Sequence, residues 1–388
     1  MDSKTNDLKK IRRKKQRHQF GKKLFTIFVI IALVFIAYIT KEKWIPLFNG
    51  IIDKYKTTVV NDGKLASGNF PLKVGVSEEY TIMNVENNFA VLTDSHLTLY
   101  DKNGSQSSLD QHEMANPILK TSSKRALIYD LGGVNFSVKS KKKTIYSKEL
   151  SDIIVYAQIS DKGYAAVVTK SEKYASLMTI YDDNGKEIFN SSMNNKIIDI
   201  AFNSGSKGCI ATTISAEGGQ LVSKLLSFKF SKDKQEWESK AVPTLAVKTS
   251  IYSNNNIAVI GNSQYSTLSS NGEVQYTYEY KADLVGSSTG ENITALVFYN
   301  SQRRKTSISI ISENSKQTDI PINGKFKNVL VQNNKVYLMS DNQLVAYSSD
   351  GKVIATAILT KDYTDFTIMQ DYAYLLGLSE VDRIDFKS

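Results

Sequence analysis

Residues 89–104, FAVLTDSHLTLYDKNG, carry the pattern on which the fold turns. A short apolar run leads through a polar break into a second run that alternates apolar and polar side chains, and this ends in an Asn-Gly turn. Alternation with a period of two marks a strand, and Asn-Gly accepts positive φ at little cost, so the stretch predicts a hairpin turning tightly into a further strand. The unit recurs at RALIYDLGGVNFSV (125–138), YAAVVTKSEKYASLMTIYD (164–182), GCIATTISAEGGQLVSKLLSFKF (208–230) and IAVIGNSQYSTLSS (257–270). It continues at ITALVFYNSQRRKTSISII (293–311), VYLMSDNQLVAYS (336–348) and YAYLLGLSEVDRIDF (372–386). Starts of successive units lie about 36, 39, 44, 49, 36, 43 and 36 residues apart.

A spacing near 40 residues is that of a four-stranded propeller blade. The turns DKNG, DDNG, SSNG and SSDG close alternate units, with Gly104, Gly185, Gly272 and Gly351 separated by 81, 87 and 79 residues. They are expected to join the third and fourth strands of their blades. The predicted fold class is therefore all-β: a β-propeller of eight four-stranded blades, or alternatively seven, with a β-helix or two β-sandwiches as the fallback. The last unit leaves no room for a fourth strand, and GNFPLKV (68–74) is expected to supply it and to remove the open edges.

Ahead of the repeats stands LFTIFVIIALVFIAYI (24–39), sixteen residues without a charge. It covers roughly 24 Å as a helix, and its flanks bring it toward the ~30 Å of a bilayer core. Leu24, Phe28, Ile31, Leu33, Phe35, Tyr38 and Trp44 are read as a membrane anchor, the last two as interfacial aromatics. Residues 1–23 hold ten cations against Asp2 and Asp7, a net +8 of the chain's +10. Arg12, Arg13, Lys14, Lys15, Arg17, Lys22 and Lys23 thus set the topology: N-terminus cytoplasmic, the rest exported. The expected layout is a basic tail (1–23), an uncleaved signal anchor (24–44), a linker (45–66) and an extracytoplasmic propeller (67–388), at the cell membrane. With the charge spent on topology, nucleic acid is not an expected partner.

Lysine outnumbers arginine 42 to 7 and Asn, Ile and Ser abound, a mix typical of AT-rich coding in Gram-positive bacteria. The only cysteine, Cys209, reads as a buried strand residue, and a disulfide within the chain is excluded. His96 and His112 read as solvated turn and loop residues. No HExxH, CxxC, GxSxG or phosphate loop is present, and the DDNG turn lacks the ligand register of an EF-hand. No metal, cofactor or catalytic residue is assigned. Lys141, Lys142 and Lys143, with Arg303, Arg304 and Lys305, sit at expected hairpin tips and read as solvated turns, or as candidate contacts to a polyanion, either an anionic wall polymer or outer-leaflet lipid headgroups.

The units LTLYDKNG, MTIYDDNGKEIF and LVAYSSDGKVIATAIL resemble repeats of the quinoprotein-like propellers, themselves WD40-like in architecture. Those relatives follow the turn with a tryptophan that docks neighbouring blades, where this chain has Phe189 or aliphatic residues. The departure argues against quinone binding and dehydrogenase chemistry and leaves the non-enzymatic scaffolds of envelope assembly. The whole layout is similar to a single-pass, membrane-anchored propeller family of clostridia and their relatives, a domain of unknown function. The expected role is a non-catalytic protein-interaction or cell-envelope scaffold. The alternatives are an exported glycan-active enzyme with its site in the funnel, or a ligand-binding sensor.

Overall fold

Each repeat unit supplies the second and third strands of one antiparallel sheet, and there are eight such sheets. The structure, a computed structural model, describes residues 59–61, 65–74, 80–232 and 234–388. The apolar runs are legible because these strands lie inside the blade and are covered on both faces, as at Asn88–Leu92, Ala126–Asp130, Ala165–Thr169 and Ile257–Gly261, buried at every residue. Outermost strands alternate instead, as in Gln106–Gln111 and Val274–Glu279.

The hydrophobic core is a ring of eight clusters, one per seam between neighbouring blades. In the seam of blades 3 and 4, Met178, Ile180 and Phe189 meet Ile197, Ile200 and Phe228. In the seam of blades 8 and 1, Tyr374, Leu376 and Val381 meet Phe89 and Tyr100. A fully buried side chain of this size contributes roughly 1.5–3 kcal/mol, so the seams rather than a common centre hold the ring together.

The four Asn-Gly and Asp-Gly turns join third to fourth strands, with φ of 80°, 84°, 82° and 84° at Gly104, Gly185, Gly272 and Gly351. Each glycine is also pressed against the preceding blade. A Cβ there would stand 3.1 Å from Phe70, 2.6 Å from Tyr146, 2.6 Å from Trp237 and 2.8 Å from Thr318, respectively. An interblade tryptophan therefore does exist in this chain, Trp237, reaching forward from blade 4 onto the turn of blade 5.

The ring closes as expected: Leu72–Lys73 forms the fourth strand of blade 8, with Leu72 opposite Val381 and Lys73 opposite Glu380. The buried Arg383 locks this closure. Its guanidinium lies over the rings of Phe70 (4.9 Å) and Tyr372 (4.3 Å) and donates to the Lys102 carbonyl of blade 1. A further latch lies within the segment read as linker. Val59–Asn61 pairs in parallel with the outer strand of blade 7, Val59 opposite Ala355 and Asn61 opposite Ala357, so that this sheet has five strands.

Four strands per blade is an even number, so every innermost strand starts at the same end of the ring. First and third turns open on one face, the odd-turn face. Second turns and the links between blades open on the other, the connection face. Among the described residues no helix is long and apolar enough to cross a membrane. The basic tail with Arg12, Arg13, Lys14, Lys15, Arg17, Lys22 and Lys23, and the anchor from Leu24 to Trp44, lie outside the described residues.

Candidate interaction surfaces

The innermost strands line a central channel, and their side chains link blade to blade around it. The Tyr156 hydroxyl donates to Asp199 Oδ1, and the Thr249 amide donates to Asp199 Oδ2 at 2.6 Å, with Lys248 Nζ 3.7 Å from the same carboxylate. Lys120 Nζ lies 5.7 Å from the centre of the Tyr156 ring. Onward, Ser250 bonds Thr289 (2.6 Å), the Val331 amide donates to Ser288 (2.8 Å), and Asn328 donates to Asp365 (2.5 Å). Asn84 joins blade 1 to blade 8 by donating to the Ile368 carbonyl. Burial and then the Asp199 carboxylate hold the Tyr156 phenol far above its usual range; burial and then the Lys248 charge lower Lys120. Burial raises the Asp365 carboxyl.

Five consecutive innermost strands carry a register shift near their start, at Val155, Ile198, Val247, Val285 and Lys327. Such a bulge re-aims side chains. Of these residues Val247 and Val285 stand exposed at the connection-face rim, whereas Val155 and Ile198 pack against seam clusters and Lys327 pairs with Asp362 at 3.0 Å. Among the described residues, large exposed apolar side chains concentrate on this face. Leu131, Ile153, Tyr174 and Leu221 lie there, as do Val247, Val285, Tyr299, Ile358 and Leu378, against only Leu65, Leu109, Val274 and Val353 elsewhere.

The channel mouth on the odd-turn face is a cavity of about 420 Å³ lined mainly by Ser, Thr, Asn and Gln. Two carboxylates, Asp161 and Glu291, reach it, and Asp161 already accepts from the Ser123 amide at 3.1 Å. A larger cleft, about 720 Å³, separates the outer parts of blades 1 and 2. It contains His112, which is half-buried rather than the solvated loop residue expected. Its Nε2 faces the Thr93 carbonyl at 3.1 Å while Nδ1 is buried without a partner, and burial lowers its pKa. His96 is half-buried at the head of a strand, with Nδ1 2.8 Å from Ser95 Oγ. Cys209 is buried as predicted, and burial pushes its thiol up. The Asp101 and Asp182 carboxylates are occupied within their own turns, each accepting two backbone amides.

The two basic loops do not meet. Lys141, Lys142 and Lys143 occupy the third turn of blade 2 and so the odd-turn face, where Lys141 reaches Glu86 at 3.9 Å. Arg303 and Arg304, with Lys305 starting the next strand, occupy the second turn of blade 6, on the connection face and half a ring away. Turn parity, invisible to a charge count, separates them. The rim residues Val247 and Val285 were missed because a bulge is defined by the partner strand; its one trace in sequence is the pairing of an aliphatic with a polar or small residue in Val155-Tyr156, Ile198-Asp199, Val247-Lys248 and Val285-Gly286.

Known structures share this architecture. BamB from Moraxella catarrhalis is similar over 83% of this chain and 99% of its own, at 10% identity and a TM-score of 0.54. Sqt1 from Saccharomyces cerevisiae is similar over 83% and 100%, at 10% identity and 0.60. The WD40 domain of SCAP from fission yeast is similar over 84% and 98%, at 9% identity and 0.54. Identities this low speak for the fold alone. No curated protein matches the chain in sequence. With residues 72–385 matched, from the closing strand to the third strand of blade 8, the chain belongs to DUF5711, a family of unknown function.

Proposed function

We propose that this propeller is a protein-interaction scaffold without chemistry of its own, tethered to the membrane by residues 24–44 and exposed on the extracytoplasmic side of a Gram-positive envelope. The observation that carries the reading is the one-sided distribution of exposed apolar side chains on a ring whose seams are already filled. Loops on such a ring vary without disturbing the core, which suits recognition. The polar lining of the odd-turn mouth, with Asp161 engaged by backbone, supports a binding role over glycan hydrolysis. The charge asymmetry of residues 1–23 supports the export of the propeller.

The test is a pull-down of the tagged full-length chain from crosslinked membranes, with protease added to intact cells in parallel. A recurrent envelope protein in the crosslinked product, together with loss of the propeller to external protease, is the expected result. A protected propeller would overturn the topology. Glycan turnover by the purified chain with no protein partner would overturn the role.

A further inference from the structure

The seam between blades 1 and 2 is built differently from the other seams. In each of those, the fourth strand of the leading blade sends an apolar side chain into the cluster, Tyr146, Phe189 and Trp237 among them. The cluster of blades 1 and 2 takes none from Gln106–Gln111. The one apolar residue of that strand, Leu109, is 54% exposed. Ser108 and Asp110 stand opposite Leu99 and Leu97, which belong to the cluster, and so are turned toward blade 2 in its place. What stays open is the cleft of about 720 Å³, a size that suits a small ligand.

The blade 2 wall of the cleft is a polar patch. Ser137 lies opposite Ser147 and Asn135 opposite Glu149, and alternation puts these four side chains on the face turned to blade 1. None of the four forms a side-chain hydrogen bond or an ion pair among the described residues. Ser137 is only 7% exposed, and a hydroxyl set so deeply ordinarily has a partner. Five charged side chains line the cleft. Asp110 and Lys139 cancel each other at 3.0 Å. Lys148 holds its ammonium 5.0 Å from the centre of the Tyr181 ring, in the next seam. Glu149 and, on the link from blade 1, Glu113 remain unpaired among the described residues. Burial favours the neutral imidazole of His112. The lysines of residues 141–143 stand at the far end of the strand that carries Glu149, roughly 20 Å from it. The open charge of the cleft is therefore negative.

We propose that this cleft binds a small organic cation, an ammonium or guanidinium on an aliphatic stem, which donates to Glu149, Asn135 and Ser137 and rests its stem against Met114. Glu113 adds its charge from the blade 1 side. Free hydroxyl, amide and carboxylate oxygens side by side are what the several donors of such a group require. Phosphates and carboxylates are repelled by the same charge. A sugar finds no aromatic platform, since Phe136 and Tyr146 pack into the opposite seam. A free diamine and the side chain of a partner's lysine or arginine share this chemistry. The inference is independent of the scaffold reading.

The test is calorimetric titration of the full-length chain, in non-ionic detergent at low ionic strength, with agmatine and with an acetylated, amidated Gly-Arg-Gly peptide. Saturable one-site binding of at least one of them is expected. Glu149→Gln should weaken it about threefold, the scale of one exposed charge contact. Ser147→Phe, at an exposed position, should fill the cleft and abolish binding. Glu279→Gln removes the same charge from an exposed site on blade 5 and should change nothing. Melting curves matched to the parent show that each variant is folded; the two glutamate variants decide the matter even where Ser147→Phe melts low. Tighter binding of the peptide assigns the cation to a partner's side chain, and tighter binding of agmatine assigns it to a free amine. No saturable heat with either probe, equal effects of Glu149→Gln and Glu279→Gln, or binding indifferent to a folded Ser147→Phe would overturn the proposal and leave the scaffold reading untouched.

Discussion

Gly272→Ala tests whether the turn glycines serve as docking surfaces between blades. The residue sits at φ +82°, where a Cβ costs about 1–2 kcal/mol. The new methyl would stand 2.6 and 2.8 Å from two atoms of the Trp237 ring, and forcing an added methyl into packed surroundings costs about 1–3 kcal/mol more. Together these give a loss of about 2–5 kcal/mol. With an unfolding entropy of about 2.1 cal/mol/K per residue over the propeller, the melting temperature should fall by about 3–7 °C. Gly132→Ala isolates the backbone cost: φ is +88° there and nothing lies within 4 Å of the added atom, so a drop of about 1.5–3 °C is expected. Adding Trp237→Leu to Gly272→Ala should give a double variant about 1–3 kcal/mol more stable than the sum of the single losses. Thermal unfolding followed by far-ultraviolet circular dichroism suits the series, because its signal comes from the strands and survives the loss of Trp237. A Gly272→Ala loss no larger than that of Gly132→Ala, or a double variant additive to within about 0.5 kcal/mol, would refute the docking argument.

Two pH effects follow from buried titratable groups. Burial raises Asp365, so the native state holds its proton at pH values where the unfolded chain has released it, and stability falls as pH rises from about 3.9 through the raised value. Asp365→Asn should therefore melt higher than the parent at neutral pH and no higher at pH 3, in melts across that range; an equal gap at both would count against it. Burial lowers His112, so its contribution is complete above about pH 6.5 and is lost as pH falls toward the folded value. His112→Gln should flatten the decline in melting temperature below pH 6.5, and an unchanged slope would argue that the imidazole is solvated.

The eight blades were legible because their second and third strands are sandwiched between neighbouring blades, the second nearly all apolar and the third alternating, as Ala126–Asp130 and Ser176–Tyr181 show. Their outer and inner partners were not. Gln106–Gln111 faces solvent with few apolar residues, and Lys196–Phe202 breaks its apolar run with Asp199, whose carboxylate is engaged across the channel. The closing strand Leu72–Lys73 was found by elimination, since an open propeller leaves an edge. Val59–Asn61 resembles any β-branched stretch of a linker, and only its pairing with Ala355–Ala357 distinguishes it. Surfaces were harder still. Charge picked out Lys141–Lys143 and Arg303–Lys305, yet sequence spacing carries no record of face.

The Val59–Asn61 latch has a mechanical consequence. A pull directed along this strand shears all three of its residue pairs with Ala355–Ala357 together instead of peeling them one by one. Until that fuse gives way, little tension reaches Leu72 or the closure at Arg383. A protein dragged by one end would thus shed a three-residue clasp from the flank of blade 7 before the ring itself felt any strain.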